Sequence, residues 1–352
     1  MTADCLTGVV HLLPGLFDSL ALNDPLTYLL VFVGVSLLML WRLEAMLDHG
    51  LEGTALGTLM LPYCSGLGNL IFVALMVSRK GAAAEVMTNC LVNNVTNLTL
   101  LLGLPALLWG LQVVPAAAGA GGKGRKPAKA HPAPAGGSTE HQITRLSLLL
   151  TLTAVFFFSG AVWLLGQDGK LNQTDGIVLI GLFLFWQCFQ VFDVLKYNVR
   201  QKVRFGFKFY LDALAVLACA YLMYESIDWL VTWLMAQKGG FISRDHLGWL
   251  TGWLMVLPNA VLALYWAWRR RPDVVYSSQV GDGHICIPLC LGLFAVIQPM
   301  PVPQISNQAL IILLLSAALH GNFLMTHGGL PRWAGGVLTL AYGWFVYAGL
   351  LA

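Results

Sequence analysis

Charge is what this sequence has least of. Only 11 % of its 352 residues are Asp, Glu, Lys or Arg, against about 25 % in ordinary globular chains. Apolar residues make up 57 %, and the mean hydropathy is +0.72. So little polar surface cannot clothe a water-soluble fold of this size, and lipid must be the solvent for most of the chain. A cytosolic enzyme, a nucleic-acid binder and a disulfide-stapled secreted domain are thereby excluded. Cysteine occurs seven times, mostly inside apolar runs and in no even, loop-borne pattern of the kind that implies disulfides. Cys286 and Cys290 fall one helical turn apart near Asp282 and His284, but no metal-ligand spacing joins the four, and no metal or cofactor is expected. The N-terminus lacks the basic start and small-residue cleavage site of a signal peptide. Interrupted by Pro14, Gly15 and Asp18, residues 1–26 read as an interfacial segment.

What is present is a series of long apolar runs. A membrane-crossing helix needs roughly 20 such residues in succession. The sequence offers ten runs: Thr27–Leu47, Thr54–Val77, Ala84–Val114, Leu146–Leu165, Gly176–Val194, Tyr210–Ala236, Leu247–Trp268, His284–Ile297, Ala309–His327 and Trp333–Leu351. They are continuous rather than alternating, which points to helices and not a barrel. With ten spans, fifteen of the 20 Lys and Arg residues collect at one set of ends, chiefly in 115–145, 196–208 and Arg269–Arg271. The positive-inside rule then places both termini outside and these loops in the cytoplasm, a bacterial inner membrane being the expected setting. Residues 115–144, rich in Ala, Gly, Pro and Lys, read as a disordered basic linker.

The expected organisation is a first repeat of helices 1–3 over 27–114, the linker, helices 4–5 over 145–195, and a basic cytoplasmic loop at 196–208. A second repeat of five helices follows over 209–352. An odd number of helices per repeat makes the second enter the membrane from the opposite side. This is an all-α integral membrane fold of two inverted five-helix repeats, a construction common among secondary transporters.

The polar residues of one helix pair in each half sharpen this. Residues 57–103 read GTLMLPYCSGLGNLIFVALMVSRKGAAAEVMTNCLVNNVTNLTLLLG, and residues 253–292 read WLMVLPNAVLALYWAWRRRPDVVYSSQVGDGHICIPLCLG. These segments resemble the paired repeats of the sodium/calcium exchanger superfamily, in which a G-T-S-x-P-E-type stretch, a basic turn and a G-N-x-x-G-S-N-x-x-[ND]-type stretch follow one another. Arg79-Lys80-Gly81 resembles the basic turn. Thr88–Gly103 aligns with the second stretch, which puts Asn94 on an ion-liganding Asn and Asn97 on the next polar seat. In the second half Leu257-Pro258-Asn259 aligns with the Leu-Pro-Glu step, Gly281-Asp282-Gly283 with Gly-Ser-Asn, and Cys286 with the Asn/Asp seat. The resemblance implies an exchanger-like fold and an ion site between the repeats. The family's two membrane carboxylates fall here, with a one-residue slip in the first repeat, on Asn69 and Asn259.

Both are neutral, and calcium relies on carboxylates among about 6–8 oxygen ligands. The expectation is therefore an uncharged, amide-lined site at Asn69, Asn94 and Asn259, compatible with a monovalent cation or a polar solute but not with family-type calcium binding. Asn93 and Asn97 share a face with Asn89 and serve equally as interhelical glue. Asp282 is the one carboxylate inside a repeat motif, set in a glycine-flanked bend. Glu225 and Asp228 are candidate coupling carboxylates. No nucleophile–base pair or acidic metal motif suggests an enzyme. Two readings stand: a secondary transporter, and a transport-inactive subunit or scaffold that binds partner membrane proteins. Either lives in a lipid bilayer and neither engages nucleic acid.

Overall fold

A computed structural model describes Gly15 and residues 23–48, 60–113, 137–198 and 206–350. Most of the expected N-terminal segment 1–26, of the 115–144 linker and of the 196–208 loop lies outside these. In chain order the helices are α1 (Pro25–Asp48), α2 (Leu61–Ser65), α3 (Leu67–Ser78), α4 (Ala83–Val95), α5 (Leu101–Trp109), α6 (Gly137–Leu165) and α7 (Gln173–Asn198). They continue with α8 (Phe207–Ala236), α9 (Leu247–Trp268), α10 (Pro272–His284), α11 (Leu291–Ile297), α12 (Ile305–His327) and α13 (Arg332–Leu350). Single π-helical turns at Thr96–Leu100 and Ile285–Cys290 join α4 to α5 and α10 to α11. Eight of the described helical stretches are long and apolar enough to cross a membrane. The shorter α2–α3 and the 19-residue α13 stand where the second and tenth apolar runs are expected.

The two halves are built alike. Helix α1 pairs with α8, its counterpart, and α6 with α12. In the first pair Tyr28 stacks on Trp229 with ring centroids 4.2 Å apart, and Arg42 meets Asp212 at 3.5 Å, so the two helices run in opposite directions. Helix α4 packs on α9, as α10 packs on α2. Short antiparallel ladders also match. β1 (Leu111–Gln112), after α5, pairs with β4 (Gly329–Leu330), before α13; β3 (Met300–Pro301), after α11, pairs with β2 (Lys170–Leu171), before α7.

Helix α5 lies on α13, and α11 on α7, each through a pair of glycines. A Cβ on Gly335 would sit 2.5 Å from the Gly103 carbonyl oxygen, and one on Gly176 would sit 2.8 Å from that of Gly292. In lipid such close backbone approach, rather than apolar exclusion from water, holds helices together. Replacing Gly335 by Val should force α5 and α13 apart and destabilise the protein by about 1–3 kcal/mol. A midpoint of thermal unfolding equal to that of the parent chain would refute this reading of the contact.

Two expectations need correcting. Helix α6 begins at Gly137, inside the expected linker; the run Ser-Thr-Glu that follows is a helix-start signal. More consequentially, the eighth span does not begin at His284. The helix runs from Pro272 through to Ile297, so Gly281-Asp282-Gly283 is helix interior and not a bend. The flanking glycines serve packing instead: Cβ atoms there would meet Pro62 at 3.5 Å and Val155 at 2.9 Å.

Candidate functional site

The two most buried spans are Ala83–Trp109 and Pro272–Ile297, the matching third and eighth crossings. Within each, 78 % of the most apolar stretch is covered by protein, against 28 % for α7. Their polar side chains therefore face other helices, not lipid. Local breaks aim those side chains inward. Helix α2 ends at Gly66, one residue before α3, and Pro258 sits inside α9 next to Asn259, where it removes a backbone donor and loosens the turn. Each π turn adds a residue to its helix, a device that recurs where helices carry function.

At these breaks a hydrogen-bonded chain crosses between the halves. Asn93 Nδ2 donates to Asn69 Oδ1 at 3.4 Å, and Asn97 Nδ2 donates to Asn93 Oδ1 and to Asp282 Oδ2, both at 3.0 Å. Asn259 Nδ2 donates to the same Asp282 oxygen at 2.7 Å. The Cys286 thiol lies 3.8 Å from Asn93 Oδ1. All six side chains are essentially closed to solvent, none more than 1 % exposed. The pattern repeats across the halves. Asn69 stands 24 residues before Asn93, which it contacts, and Asn259 stands 23 before Asp282. Four residues on, Asn97 and Cys286 each reach into the opposite repeat. One seat of this two-fold arrangement, Asp282, carries a charge where its counterpart Asn93 carries an amide.

The expectation of an uncharged site does not fit this geometry, because Asp282 sits at its centre. The structure brings Asn69, Asn93, Asn97, Asn259, Asp282 and Cys286 together. Asn94 lies at the edge of the network: its Nδ2 donates to the Cys90 carbonyl at 2.7 Å, and its side chain borders Cys286 and Gly283. Asn89 binds Thr251 at 3.0 Å and ties α4 to α9. Glu225 and Asp228 lie on α8, which supplies no residue to the network. Asp228 is ion-paired with Arg79 of the basic turn, and Glu225 lies beside Tyr221. Ser65, bordering Asp282, and Gln279, which donates to the Asn259 carbonyl at 3.3 Å, are members that sequence reading missed. The signal was available in the run Ser277-Ser278-Gln279, polar residues one turn before Asp282 in a helix that crosses the membrane.

Buried polar atoms normally find partners. Around this network, among the described residues, the side-chain atoms without a protein partner are Asp282 Oδ1, Asn97 Oδ1, Asn94 Oδ1, Gln279 Oε1 and Asn89 Oδ1, and one donor, Asn69 Nδ2. The surplus is almost wholly of acceptors, and oxygen acceptors are what a hard cation takes as ligands.

Two inverted five-helix repeats, with a buried polar network where their broken helices meet, define an integral membrane protein of the transporter class. The chain belongs to the sodium/calcium exchanger protein family, whose sequence pattern matches residues 25–192 and 209–351. Its fold is similar to that of the sodium-calcium exchanger NCX_Mj soaked with 100 mM Na+ and 10 mM Sr2+, with a TM-score of 0.61 and 16 % identity over 92 % of this chain and 96 % of that one. NCX_Mj soaked with zero Na+ and Ca2+ gives a TM-score of 0.61 at 14 % identity, over 92 % and 98 % of the two chains. No curated protein matches the sequence.

Proposed function

We propose that this chain is a secondary transporter of monovalent cations, with the ion seated at Asp282 among the oxygens of Asn97, Asn93 and Ser65. One observation carries the reading: a fully buried Asp282 carboxyl where the two inverted repeats meet, bonded to Asn97, whose own side-chain oxygen has no partner among the described residues. Burying a charge in a membrane is costly unless it is paired. A monovalent ion neutralises Asp282, whereas calcium there leaves a net positive charge with only amide dipoles around it. NCX_Mj is a sodium-calcium exchanger whose crystals were soaked with Na+ and Sr2+ or Ca2+; the neutral amides of Asn69 and Asn259, where the family places carboxylates, argue that this relative has given up the divalent partner. The asymmetry of basic residues supports placing the 115–144 and 196–208 loops on the cytoplasmic side, with both termini outside.

Purified protein should melt at a higher temperature in Na+, Li+ or K+ than in an equal concentration of N-methylglucamine, because a ligand that binds only the folded state stabilises it. Calcium should add nothing beyond ionic strength. If no ion shifts the midpoint, the chain is better described as a transport-inactive subunit that keeps the fold for the sake of its partners.

A further inference from the structure

A cavity lies beside the network. It has a volume of about 340 Å³ and is walled by α1, α9 and α10, with Leu40, Trp41, Glu44, Tyr265, Trp266 and Ser278 among its lining residues. That volume is in the range of small-molecule sites, roughly 300–1,000 Å³. Three aromatic rings and one carboxylate line this slot between membrane helices. Hydrocarbon tails are served by Leu and Val alone and have no use for Glu44, which is exposed at the end of α1.

The rings already attract cations from this protein. The Arg42 guanidinium sits 4.3 Å from the centroid of Trp41, and that of Arg271 sits 5.9 Å from Trp266. Both arginines are engaged chiefly by other carboxylates, and Arg271 only secondarily attracts Glu44. Arg42 is ion-paired with Asp212 at 3.5 Å, and Arg271 is held by both oxygens of Asp273, at 3.3 and 3.1 Å. Asp273 keeps the guanidinium of Arg271 firmly protonated, with Glu44 adding a smaller attraction of the same sign.

We propose that this cavity is a binding site for a small hydrophobic organic cation, of the quaternary-ammonium type, held by cation–π contact with Trp41, Tyr265 and Trp266 and by the charge of Glu44. Such cations lose little hydration on entering an aromatic cage, and each desolvated ring contact contributes measurably. Metal ions do not suit it, because the lining offers one carboxylate and few other oxygens in place of a full coordination shell. The position has a consequence for the network. Leu40 also walls the small cavity lined by Ser65 and Asn259, and Ser278 accepts from Gln279, which reaches the Asn259 carbonyl. Leu40 is thus shared between this cavity and the one that Asn259 borders. The site nevertheless makes no appeal to transport, so its test is independent of the function proposed above.

Phenyltrimethylammonium is a suitable probe, titrated onto the protein in phosphatidylcholine nanodiscs and followed by saturation-transfer NMR. The zwitterionic lipid removes non-specific attraction of the cation to the bilayer. Saturable binding is expected, weakened about tenfold in Glu44→Gln and about tenfold in Trp266→Leu, with the thermal midpoint of both variants unchanged. Binding that Glu44→Gln leaves intact overturns the proposal, since the cavity is then an apolar slot indifferent to charge. Absence of saturable binding to the parent protein in the millimolar range overturns it as well.

Discussion

Asp282→Asn should abolish the stabilisation of this protein by monovalent cations. The substitution changes charge with little change in shape. An amide oxygen can still accept the hydrogen bonds from Asn97 at 3.0 Å and Asn259 at 2.7 Å, so the network that joins the repeats survives. What disappears is the one full negative charge in it. At a separation of about 4 Å and an effective dielectric constant near 20, a unit pair is worth about 4 kcal/mol, which corresponds to a loss of roughly three orders of magnitude in affinity. The sign of the effect on the ion-free protein is opposite. Removing a buried, unpaired charge relieves a desolvation cost, so the variant should melt no lower than the parent chain without cations, and higher if anything. Thermal unfolding across a cation titration reads both effects at once. A variant that keeps the ion-dependent rise would show that the cation sits elsewhere.

The prominence of Asp282 also explains what the sequence could and could not show. Long apolar runs report contact with lipid, and so most of α1, α6, α7, α8 and α12 can be placed from hydropathy. The stretch from Pro272 to His284 carries an aspartate near each end and Ser277, Ser278 and Gln279 between. By composition it resembles an extramembrane turn. It is a membrane-crossing helix that hardly touches lipid, because α2, α6 and α9 pack around it, and a helix clothed by protein is free to be polar. Where the second span starts in the first repeat is not described, since the stretch before Met60 lies outside the described residues. The amide seats are legible because the repeats keep their spacing: Asn69 to Asn93 and Asn259 to Asp282 are matched to within one residue. That same alignment singles out Asn94, which borders Cys286 at the edge of the network. On a helix of 3.6 residues per turn its neighbour Asn93 points about 100° away, and it is Asn93 that meets Asn69. Nothing in spacing alone distinguishes the two. The glycine contacts, the two short ladders and the cavity beside Glu44 depend on distances between segments far apart in the chain, which local pattern does not encode.

If charge count decides which ion this fold accepts, one added carboxylate should return it to divalent chemistry. Asn69→Asp is the cleanest place to add it. Asparagine and aspartate are nearly isosteric, the Asn69 side chain is fully buried, and its Oδ1 already accepts from Asn93. Among the described residues its Nδ2 is the donor without a partner around the network, so the exchange replaces a misplaced donor with one more oxygen. The result is one carboxylate from each repeat, the introduced group facing Asp282 across the Asn93–Asn97 pair, and together they neutralise a calcium ion. In the absence of ions two buried carboxylates repel, and the variant should melt below the parent chain. Calcium or strontium at about a hundredfold excess over the dissociation constant should then restore about 2.7 kcal/mol of stability, while the parent chain shows no such response. The same exchange at Asn259 should work less well, because that residue already bonds Asp282 directly and a second carboxylate there would abut the first with no amide between them. A folded Asn69→Asp protein that melts lower, yet gains nothing from divalent ions, would show that geometry and not charge excludes calcium from this member of the family.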